Sequence, residues 1–235
     1  MRILAVIPAR GGSKRAPGKN VRKLGNKPLI NWTIDSALNI PELSAIVVST
    51  DDPQIAEIAQ SAGATVPWLR PIKLATDDAK SVDVAIHALD WYEAENGKVD
   101  GILLLQPTSP FRTNETIRKA ISLFKNHEGS SIIGVSPLQN HQLYTMEKHG
   151  KFLVQYQQHR FLRKRSQSKS QIYAVNGAIY LVSPQEIRSC NSFIGSYPLP
   201  VITESPIEAL DIDTEGHFKI AEIFIRHAPN LDQNN

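Results

Sequence analysis

The 235-residue sequence lacks the features that mark secreted, membrane-spanning or zinc-stabilised proteins. Cys190 is the only cysteine, which excludes an internal disulfide, and the seven histidines have no companion thiols at zinc-ligand spacing. The apolar run at the start is far too short for a signal peptide, and no later run approaches the roughly 18 residues of a membrane span. We therefore expect a soluble cytoplasmic protein without a membrane partner.

A strong excess of one charge is also lacking, because 26 Lys and Arg stand against 23 Asp and Glu, a net charge of +3. The small sum hides two cationic segments without acidic residues, 10–27 with seven basic residues and 160–169 with five. The remaining 207 residues hold 14 basic and 23 acidic groups. This distribution argues against a generally basic surface that binds nucleic acid and favours local anion sites.

Apolar runs and helix signals alternate along the first 135 residues. Buried strands are predicted at 3–7, 45–49, 101–106 and 131–135, with a later strand at 177–182. Helices are predicted to begin near Pro28, at Asp52-Pro53, at Ser81 and at an Asn114 cap, with a closing helix at 214–227. The order predicts one α/β domain over residues 1–235, built on a parallel, doubly wound sheet. The polar stretch 137–175 is expected to protrude as an arm.

The segment 8–20, PARGGSKRAPGKN, follows the first predicted strand. Glycines let backbone N–H groups approach an anion closely, and Arg10, Lys14 and Lys19 add positive charge, so the loop can hold a polyphosphate. It is not a Walker A loop, because its glycines enclose five residues where that motif has four, and it lacks G-x-G-x-x-G. The alternative is a solvated basic loop, which the position at the carboxyl end of a strand disfavours.

Asp211 and Asp213 alternate with Ile212 in the segment DIDTE. Alternate side chains of an extended segment point to the same side, so the two carboxylates can share a hard divalent cation such as Mg²⁺. The alternative is that Asp213 caps a helix beginning near Thr214, which would leave Asp211 unexplained. Both interpretations stay open on the residues alone.

Two further polar motifs lie at predicted strand ends. QPTSP, residues 106–110, offers an amide and hydroxyls to a polyhydroxylated substrate, although a proline-rich turn before a helix gives the same string. NGAIY, residues 176–180, contains an Asn-Gly pair that is also typical of a tight turn. Taken singly, neither motif predicts a site.

In their order along the chain, however, these motifs resemble those of the N-acylneuraminate cytidylyltransferases. IPARGGSK with GKN, VSTDD, RP with LATD, LLQPTSPFR, NGAIY and DIDTE span nearly the whole sequence. The resemblance implies a Rossmann-like, mostly parallel nucleotidyltransferase fold and attack of a sugar's anomeric hydroxyl on the α-phosphorus of CTP. It further implies a nine-carbon 2-keto sugar acid as the second substrate, Mg²⁺, and a homodimer whose arm completes the partner's sugar site.

The resemblance also assigns roles to individual residues. The positions that match nucleotide-binding residues are Ala9, Arg10, Gly12, Ser13, Lys14, Lys19, Asn20, Arg70, Asp77 and Ser81. The positions expected to bind the sugar are Gln106, Ser109, Arg165, Gln167, Asn176 and Tyr180. Asp211 and Asp213 match the metal carboxylates, and with Arg10 and Lys19 they form the expected catalytic set.

The chain departs from the family pattern in the arm. The family's Arg-Arg-Gln-x-x-Pro reads KRSQSKS here, and its HHP-x-K element has Tyr144 in place of the lysine. Arg165 and Lys164 are both candidates for the role of the family's arginine, which binds the sugar acid.

Two alternatives remain at the level of the whole chain. KDO cytidylyltransferases are similar at the first loop but usually lack the GGSK run, so a KDO-type or other sugar nucleotidyltransferase is the nearer one. A non-catalytic polyanion-binding module is the remote one, and it leaves DIDTE without an explanation.

Overall fold

The computed structural model describes residues 1–13, 16–127, 130–138, 146–149, 152–155 and 171–227. The strands are β1 Ile3–Pro8, β2 Lys23–Leu24, β3 Lys27–Pro28, β4 Leu43–Ser49, β5 Gly101–Leu104, β6 Ile132–Pro137, β7 Met146–His149, β8 Phe152–Gln155, β9 Tyr173–Val182 and β10 Leu199–Ile202. The α-helices are α1 Leu29–Ala37, α2 Pro53–Ser61, α3 Ser81–Asn96, α4 Asn114–Asn126, α5 Pro184–Cys190 and α6 Glu215–His227. Among these described helices, none is long and apolar enough to cross a membrane.

Six strands form the central sheet, in the order β10-β6-β9-β5-β1-β4. β1 pairs in parallel with β4 and β5, and β6 pairs in parallel with β10. β9 lies antiparallel between β5 and β6. The predicted doubly wound, mostly parallel fold is confirmed, with one strand in the middle of the sheet running against the others.

The first strand shows why the sequence of a central strand is a continuous apolar run. Ile3, Ala5 and Ile7 pack into a core cluster with residues of α1, α2 and α4, whereas Leu4 and Val6 pack into a second cluster with residues of α3. All five side chains are fully buried. Helices therefore cover both faces of the sheet, as expected for a parallel arrangement.

A third cluster ties the last helix to the first loop. Leu24, Trp32 and Phe111 pack there with Ile212 and Phe218. The Trp32 indole Nε1 also donates a hydrogen bond to the Leu24 carbonyl over 3.0 Å. This packing brings the DIDTE segment beside residues that are distant in sequence.

Short polar side chains cap some of the helices, whereas α1 and α3 begin without a side-chain cap. Asp52 caps α2, as predicted, by accepting from two backbone N–H groups of its first turn. The predicted Asn114 cap is wrong, because the Thr113 hydroxyl accepts from the Thr116 N–H over 3.1 Å and Asn114 is already the first helical residue. The Asn114 amide instead donates to backbone carbonyls at the end of α1 and just beyond it.

The Asn-Gly pair of NGAIY lies inside β9 and does not form a tight turn. Gly177 has φ +76°, and the register with β6 shifts close by. The Asn176 side chain accepts from the Ala178 N–H over 3.1 Å and donates to the Ser136 hydroxyl over 3.0 Å. Asn176 therefore stabilises an irregular step in the strand, which we call the β9 bulge, residues 176–178.

The predicted arm begins and ends in the sheet, since Pro137 of β6 pairs with Tyr173 of β9. Within it, β7 and β8 form an antiparallel hairpin. Arg165, Gln167 and Lys164 lie outside the described residues, and the arm stays a prediction.

Candidate active site

A cleft of about 370 Å³ opens where several parallel strands end. Its walls come from the loop after β1, the segment around Arg70, the turn after β5 and the DIDTE segment. The predicted residues that line it are Arg10, Ser13, Lys19, Asn20, Arg70, Asp77, Ser81, Gln106, Asp211 and Asp213. Ligands of open α/β sheets bind at this edge, so the cleft is the candidate active site.

The other predicted residues do not line the cleft or cannot be placed. Ala9 and Ser109 are buried behind its surface. Asn176 is engaged in the β9 bulge, and neither Gly12 nor Tyr180 belongs to the lining. Lys14, Arg165 and Gln167 lie outside the described residues. Substrate contact by any of these residues stays a prediction.

The first loop is anchored on the end of β4. The Ala9 N–H donates to the Ser49 carbonyl over 2.9 Å, and the Gly11 N–H donates to Asp51 Oδ1 over 3.0 Å. A Cβ atom at Gly11 would lie 2.7 Å from Asp52 Oδ2, so the backbone approaches the segment between β4 and α2 more closely than a side chain allows. The loop and the VSTDD segment therefore form one unit.

The loop turns back on itself at Gly18, which has φ +65°. The Val21 N–H donates to the Gly18 carbonyl over 3.1 Å, and the Asn20 amide donates to the Arg10 carbonyl over 3.1 Å. Asn20 Oδ1 is buried and has no hydrogen-bond partner among the described residues. The fold thus fixes Asn20 at the cleft wall and leaves one acceptor there for a ligand.

Lys19 joins this loop to the DIDTE segment. Its Nζ donates to the Ile212 carbonyl over 3.1 Å and lies 3.6 Å from Asp213 Oδ1. Burial lowers the pKa of the Lys19 ammonium, and attraction to Asp213 and Asp211 opposes that shift. The carboxylates therefore help to keep this buried amine protonated.

Arg10 spans the cleft to the LATD segment. Its Nη1 lies 2.8 Å from Asp77 Oδ1, and both side chains are partly exposed. The Asp77 carboxylate forms an ion pair with the Arg10 guanidinium, and a phosphate oxygen could bind the guanidinium in the same way. Arg10 is therefore already directed at an anion within the cleft.

Arg70 holds one wall of the cleft together. Its Nε donates to the Ser49 hydroxyl over 3.0 Å, its Nη1 donates to the Leu74 carbonyl over 3.2 Å, and its Nη2 donates to the Ser49 carbonyl. Burial lowers the pKa of Arg70 to about 10, opposed by Asp51. Arg70 stays protonated near neutral pH and fixes the chain that carries Leu74 to the end of β4.

Asp211 is the more buried of the two DIDTE carboxylates. Burial raises the pKa of Asp211, and the charge of Asp213 raises it further, while a hydrogen bond from the Thr108 side chain and the charge of Lys19 lower it. One of its oxygens, Oδ1, is buried without a hydrogen-bond partner among the described residues. The fold therefore holds a carboxylate that its neighbours only partly compensate.

Asp213 is not the helix cap, so that alternative is wrong. α6 begins at Glu215, and the Thr214 hydroxyl accepts from the His217 N–H over 3.2 Å. Ile212 is fully buried in the third cluster, whereas Asp211 and Asp213 both line the cleft. The two carboxylates thus lie on one side, as predicted, but the segment is a turn and not an extended strand, because the Asp213 N–H donates to the Asp211 carbonyl over 3.1 Å.

The two carboxylates fit a hard divalent cation. The orphaned Asp211 oxygen is the kind of ligand that such an ion prefers. The described part of the chain contains no group of three or more His, Cys, Asp and Glu side chains that could hold a metal ion. A Mg²⁺ ion would thus take two protein carboxylates and complete its shell with water and substrate phosphate, which is usual for Mg²⁺ at phosphate sites.

The opposite end of the cleft carries Gln106. The turn it begins is tied to DIDTE, because the Ile212 N–H donates to the Thr108 carbonyl over 2.7 Å. Across the sheet, a Cβ at Gly177 would lie 2.8 Å from Gln106 Oε1, so Gln106 packs against the β9 bulge. Burial raises the pKa of Tyr180, and the charge of Asp211 adds to the shift, so Tyr180 lies within the field of the same carboxylate.

Sequence reasoning missed two residues of the turn after β5. Thr108 lines the cleft and hydrogen-bonds to Asp211, and Arg112 is a fully buried arginine beneath Gln106. Both lie within LLQPTSPFR, but an isolated arginine after a proline-rich turn carries no signal of burial.

The fold and the cleft define a class of protein. A Rossmann-like, mostly parallel α/β sheet carries a cationic loop after its first strand and paired carboxylates across the cleft, an arrangement of the nucleotidyltransferase type. A solved CMP-2-keto-3-deoxy-manno-octonic acid synthetase complexed with CTP shares this fold with a TM-score of 0.72, at 16% sequence identity and over 97% of this chain and 100% of that chain.

Within that class, the chain belongs to the cytidylyltransferase family, whose model matches residues 4–188. It is 42% identical over 224 residues to the CMP-N,N'-diacetyllegionaminic acid synthase of Legionella pneumophila, covering 94% of this chain and 95% of that protein. It is 34% identical over 231 residues to an N-acylneuraminate cytidylyltransferase of Escherichia coli, covering 94% of this chain and 51% of that protein. The chain thus spans about half the length of the second relative.

The close approach of the first loop to β4 can be tested at its glycines. Gly11→Ala places a methyl group against Asp52, so we expect the free energy of unfolding of the nucleotide-free protein to fall by about 1–3 kcal/mol. Gly12→Ala is the matched control, because a Cβ there meets nothing within 4 Å, and a change within about 0.5 kcal/mol is expected. Urea unfolding measures both; equal stability of the two variants would contradict the anchored loop.

The uncompensated charge of Asp211 predicts a gain in stability on neutralisation. With its pKa raised in the folded state, Asp211 binds a proton more tightly when folded, so its ionised form opposes folding once the pH exceeds the folded pKa. In EDTA, Asp211→Asn should therefore be more stable than the parent at pH 7, and the difference should shrink as the pH falls towards 4. Asp213→Asn, which removes a partner of Lys19, should give no such gain in urea unfolding. A loss of stability in Asp211→Asn at pH 7 would contradict this.

Proposed function

We propose that this cytidylyltransferase transfers CMP from CTP to the anomeric hydroxyl of a nine-carbon 2-keto sugar acid. The anomeric oxygen forms a bond to the α-phosphorus of CTP, the bond from that phosphorus to the bridging oxygen of the β-phosphate breaks, and the hydroxyl proton passes to solvent. The products are the CMP-sugar and pyrophosphate.

The observation that carries this proposal is the contact of Lys19 with the DIDTE segment. Its ammonium group lies 3.6 Å from Asp213 Oδ1, on a loop that also presents Arg10 to the same cleft. Cations for a polyphosphate and carboxylates for a divalent ion therefore meet in one place. A protein that only bound polyanions would gain nothing from placing two carboxylates there.

The charge of the substrates explains why so many cations are needed. A triphosphate and a sugar carboxylate are both anions, and like charges about 4 Å apart repel by about 4 kcal/mol at an effective dielectric constant of 20. Fixed cations lower this cost, because they need no reorganisation when the substrates meet. The first basic segment supplies cations for the triphosphate, and the second, outside the described residues, is proposed to face the sugar acid.

The residues of the cleft have separable tasks in this proposal. Arg10 and Lys19 orient the triphosphate and offset charge on the leaving pyrophosphate. Gln106 contacts the sugar. A Mg²⁺ ion held by Asp211 and Asp213 would polarise the α-phosphate and lower the pKa of the attacking hydroxyl.

The sugar is proposed to be a sialic-acid-like nonulosonic acid. The relative from Legionella pneumophila, named for N,N'-diacetyllegionaminic acid, covers nearly the full length of both chains and supports an acylated sugar acid of this class. The likeness to the octonic acid synthetase concerns the fold alone, so it does not favour that sugar. The homodimer and the cytoplasmic location stay predictions.

A substrate screen tests the proposal. Pyrophosphate release is measured with CTP, UTP, GTP or ATP against N,N'-diacetyllegionaminic acid, N-acetylneuraminic acid and KDO, with Mg²⁺ or EDTA. We expect turnover with CTP and a nonulosonic acid, abolished by EDTA and lowered about 100-fold or more by Asp211→Asn, since a metal supplies several kcal/mol of charge stabilisation.

Other outcomes of the screen identify the alternatives. Turnover of KDO alone would replace the sugar and keep the reaction. No turnover with any pair, together with tight oligonucleotide binding that falls steeply with salt, would establish the polyanion-binding module instead. Full activity in EDTA would remove the metal from the proposal.

Lys19 provides an independent test of the triphosphate site. Lys19→Ala removes a charged donor from the cleft, so we expect CTP affinity to fall by about tenfold or more, the equivalent of about 1.5–3 kcal/mol. Lys23→Ala is the matched control, because Lys23 belongs to the same basic segment but is exposed and does not line the cleft. Calorimetry with CTP compares them; an equal loss in both variants would mean that only the general charge of the segment matters.

A further inference from the structure

We propose that Arg112 is a positioning residue that sets the sugar-facing wall of the cleft by tying the turn after β5 to the β9 bulge. The inference rests on the proposed function, because Gln106 is assigned to the sugar there. Arg112 has no surface exposure, so it acts through the segments that it holds and not through contact with a substrate.

The guanidinium group bridges two backbone carbonyls, one in β9 and one in the turn after β5. Its Nε donates to the Ala178 carbonyl over 2.6 Å, and its Nη2 donates to the Gln106 carbonyl over 2.8 Å. Hydrogen bonds from a charged donor are about twice as strong as neutral ones. One side chain therefore fixes both walls of this end of the cleft.

The two carbonyls lie where the β5–β9 ladder stops. Its pairs run from Ile102 with Val182 to Leu104 with Tyr180, and the same register, continued by two residues, would bring Gln106 opposite Ala178. Arg112 binds the carbonyls of just these two residues. The guanidinium thus takes the place of the backbone hydrogen bonds where β9 and the turn after β5 separate. It fixes the distance between the two backbone segments.

That separation determines where Gln106 lies. An ideal Cβ at Gly177 would lie 2.8 Å from Gln106 Oε1, so the amide end of Gln106 already packs against the bulge. A small movement of either segment would displace it. Because reacting groups need placement within a fraction of an ångström, the bridge is expected to affect sugar binding more than CTP binding.

The burial of a charge at this place also needs a reason. Burial lowers the pKa of Arg112 to about 9, and the charge of Glu208 opposes the shift. The Arg112 Nη1 atom has no hydrogen-bond partner among the described residues. An apolar side chain would avoid this cost but would leave the two carbonyls unbridged, so the bridge accounts for the arginine.

Hydrogen exchange of the ligand-free protein tests the bridge directly. In Arg112→Lys, which keeps the charge but cannot span both carbonyls, amides of residues 105–109 and 176–180 should exchange about tenfold faster or more, and together. Arg112→Met should show the same change more strongly where it folds. Arg118→Met is the matched control, because exposed Arg118 on α4 also donates to a backbone carbonyl, that of Asn39 over 2.9 Å. Unchanged exchange in Arg112→Lys, or a change in only one segment, would overturn the proposal.

Kinetics test the consequence for the sugar. Arg112→Lys should raise the KM of the sugar acid about tenfold while the Kd of CTP changes by less than about twofold, because the triphosphate site is held by other contacts. Gly177→Ala should show the same split, since its Cβ pushes on Gln106 and its positive φ strains the β9 bulge that Arg112 holds. If the variant bound the sugar acid and CTP equally more weakly, Arg112 would contribute only to the general stability of the fold. Absence of turnover in the parent protein would overturn the proposed function, whereas the exchange result would still decide the bridge.

Discussion

The ammonium group of Lys19 joins the two ends of the chain, and the site depends on that contact. Lys19 donates to the carbonyl of Ile212, 193 residues further along, and lies beside Asp213. A buried ammonium needs fixed negative groups to stay charged, and a buried carboxylate needs cations, so each half of the site compensates the other. The compensation is incomplete, since the pKa of Asp211 remains raised and one of its oxygens has no partner among the described residues. An incomplete balance is what a site that recruits a further cation requires.

Apolar packing holds these charges in place. Ile212 lies between the two carboxylates in sequence but points into the cluster formed with Trp32 and Phe218. Burial of one such side chain contributes about 1.5–3 kcal/mol, enough to fix the orientation of this short segment. The same cluster brings α6 against the first loop, so Lys19 and Asp213 meet. Packing of the apolar Ile212 side chain therefore determines where the two carboxylates of DIDTE lie.

Those parts of the molecule that depend on local sequence could be predicted. The apolar run of β1 indicated burial on both faces, because a strand covered on both sides has no polar face. The alternation of Asp211, Ile212 and Asp213 indicated a shared carboxylate side, although a turn and not a strand produces it in the structure. Cap positions were less certain, since Asn114 and its neighbour Thr113 have similar capping preference and tertiary contacts decide between them. Arg112 could not be found, because its burial depends on where β5 and β9 part, a property of the sheet and not of the turn that carries it.

The direction of β9 is the feature that local patterns least reveal, and it has the largest consequence for the site. Parallel strands all end at the cleft edge, so a parallel β9 would have placed Tyr173 and the bulge towards the far edge. Because β9 is antiparallel, its first residues lie beside the last residues of β6, and Pro137 pairs with Tyr173. The chain between them therefore leaves and re-enters the sheet on the side of the cleft. This connection is consistent with the proposal that the polar, basic part of the sequence between β6 and β9 supplies charge to an anionic substrate.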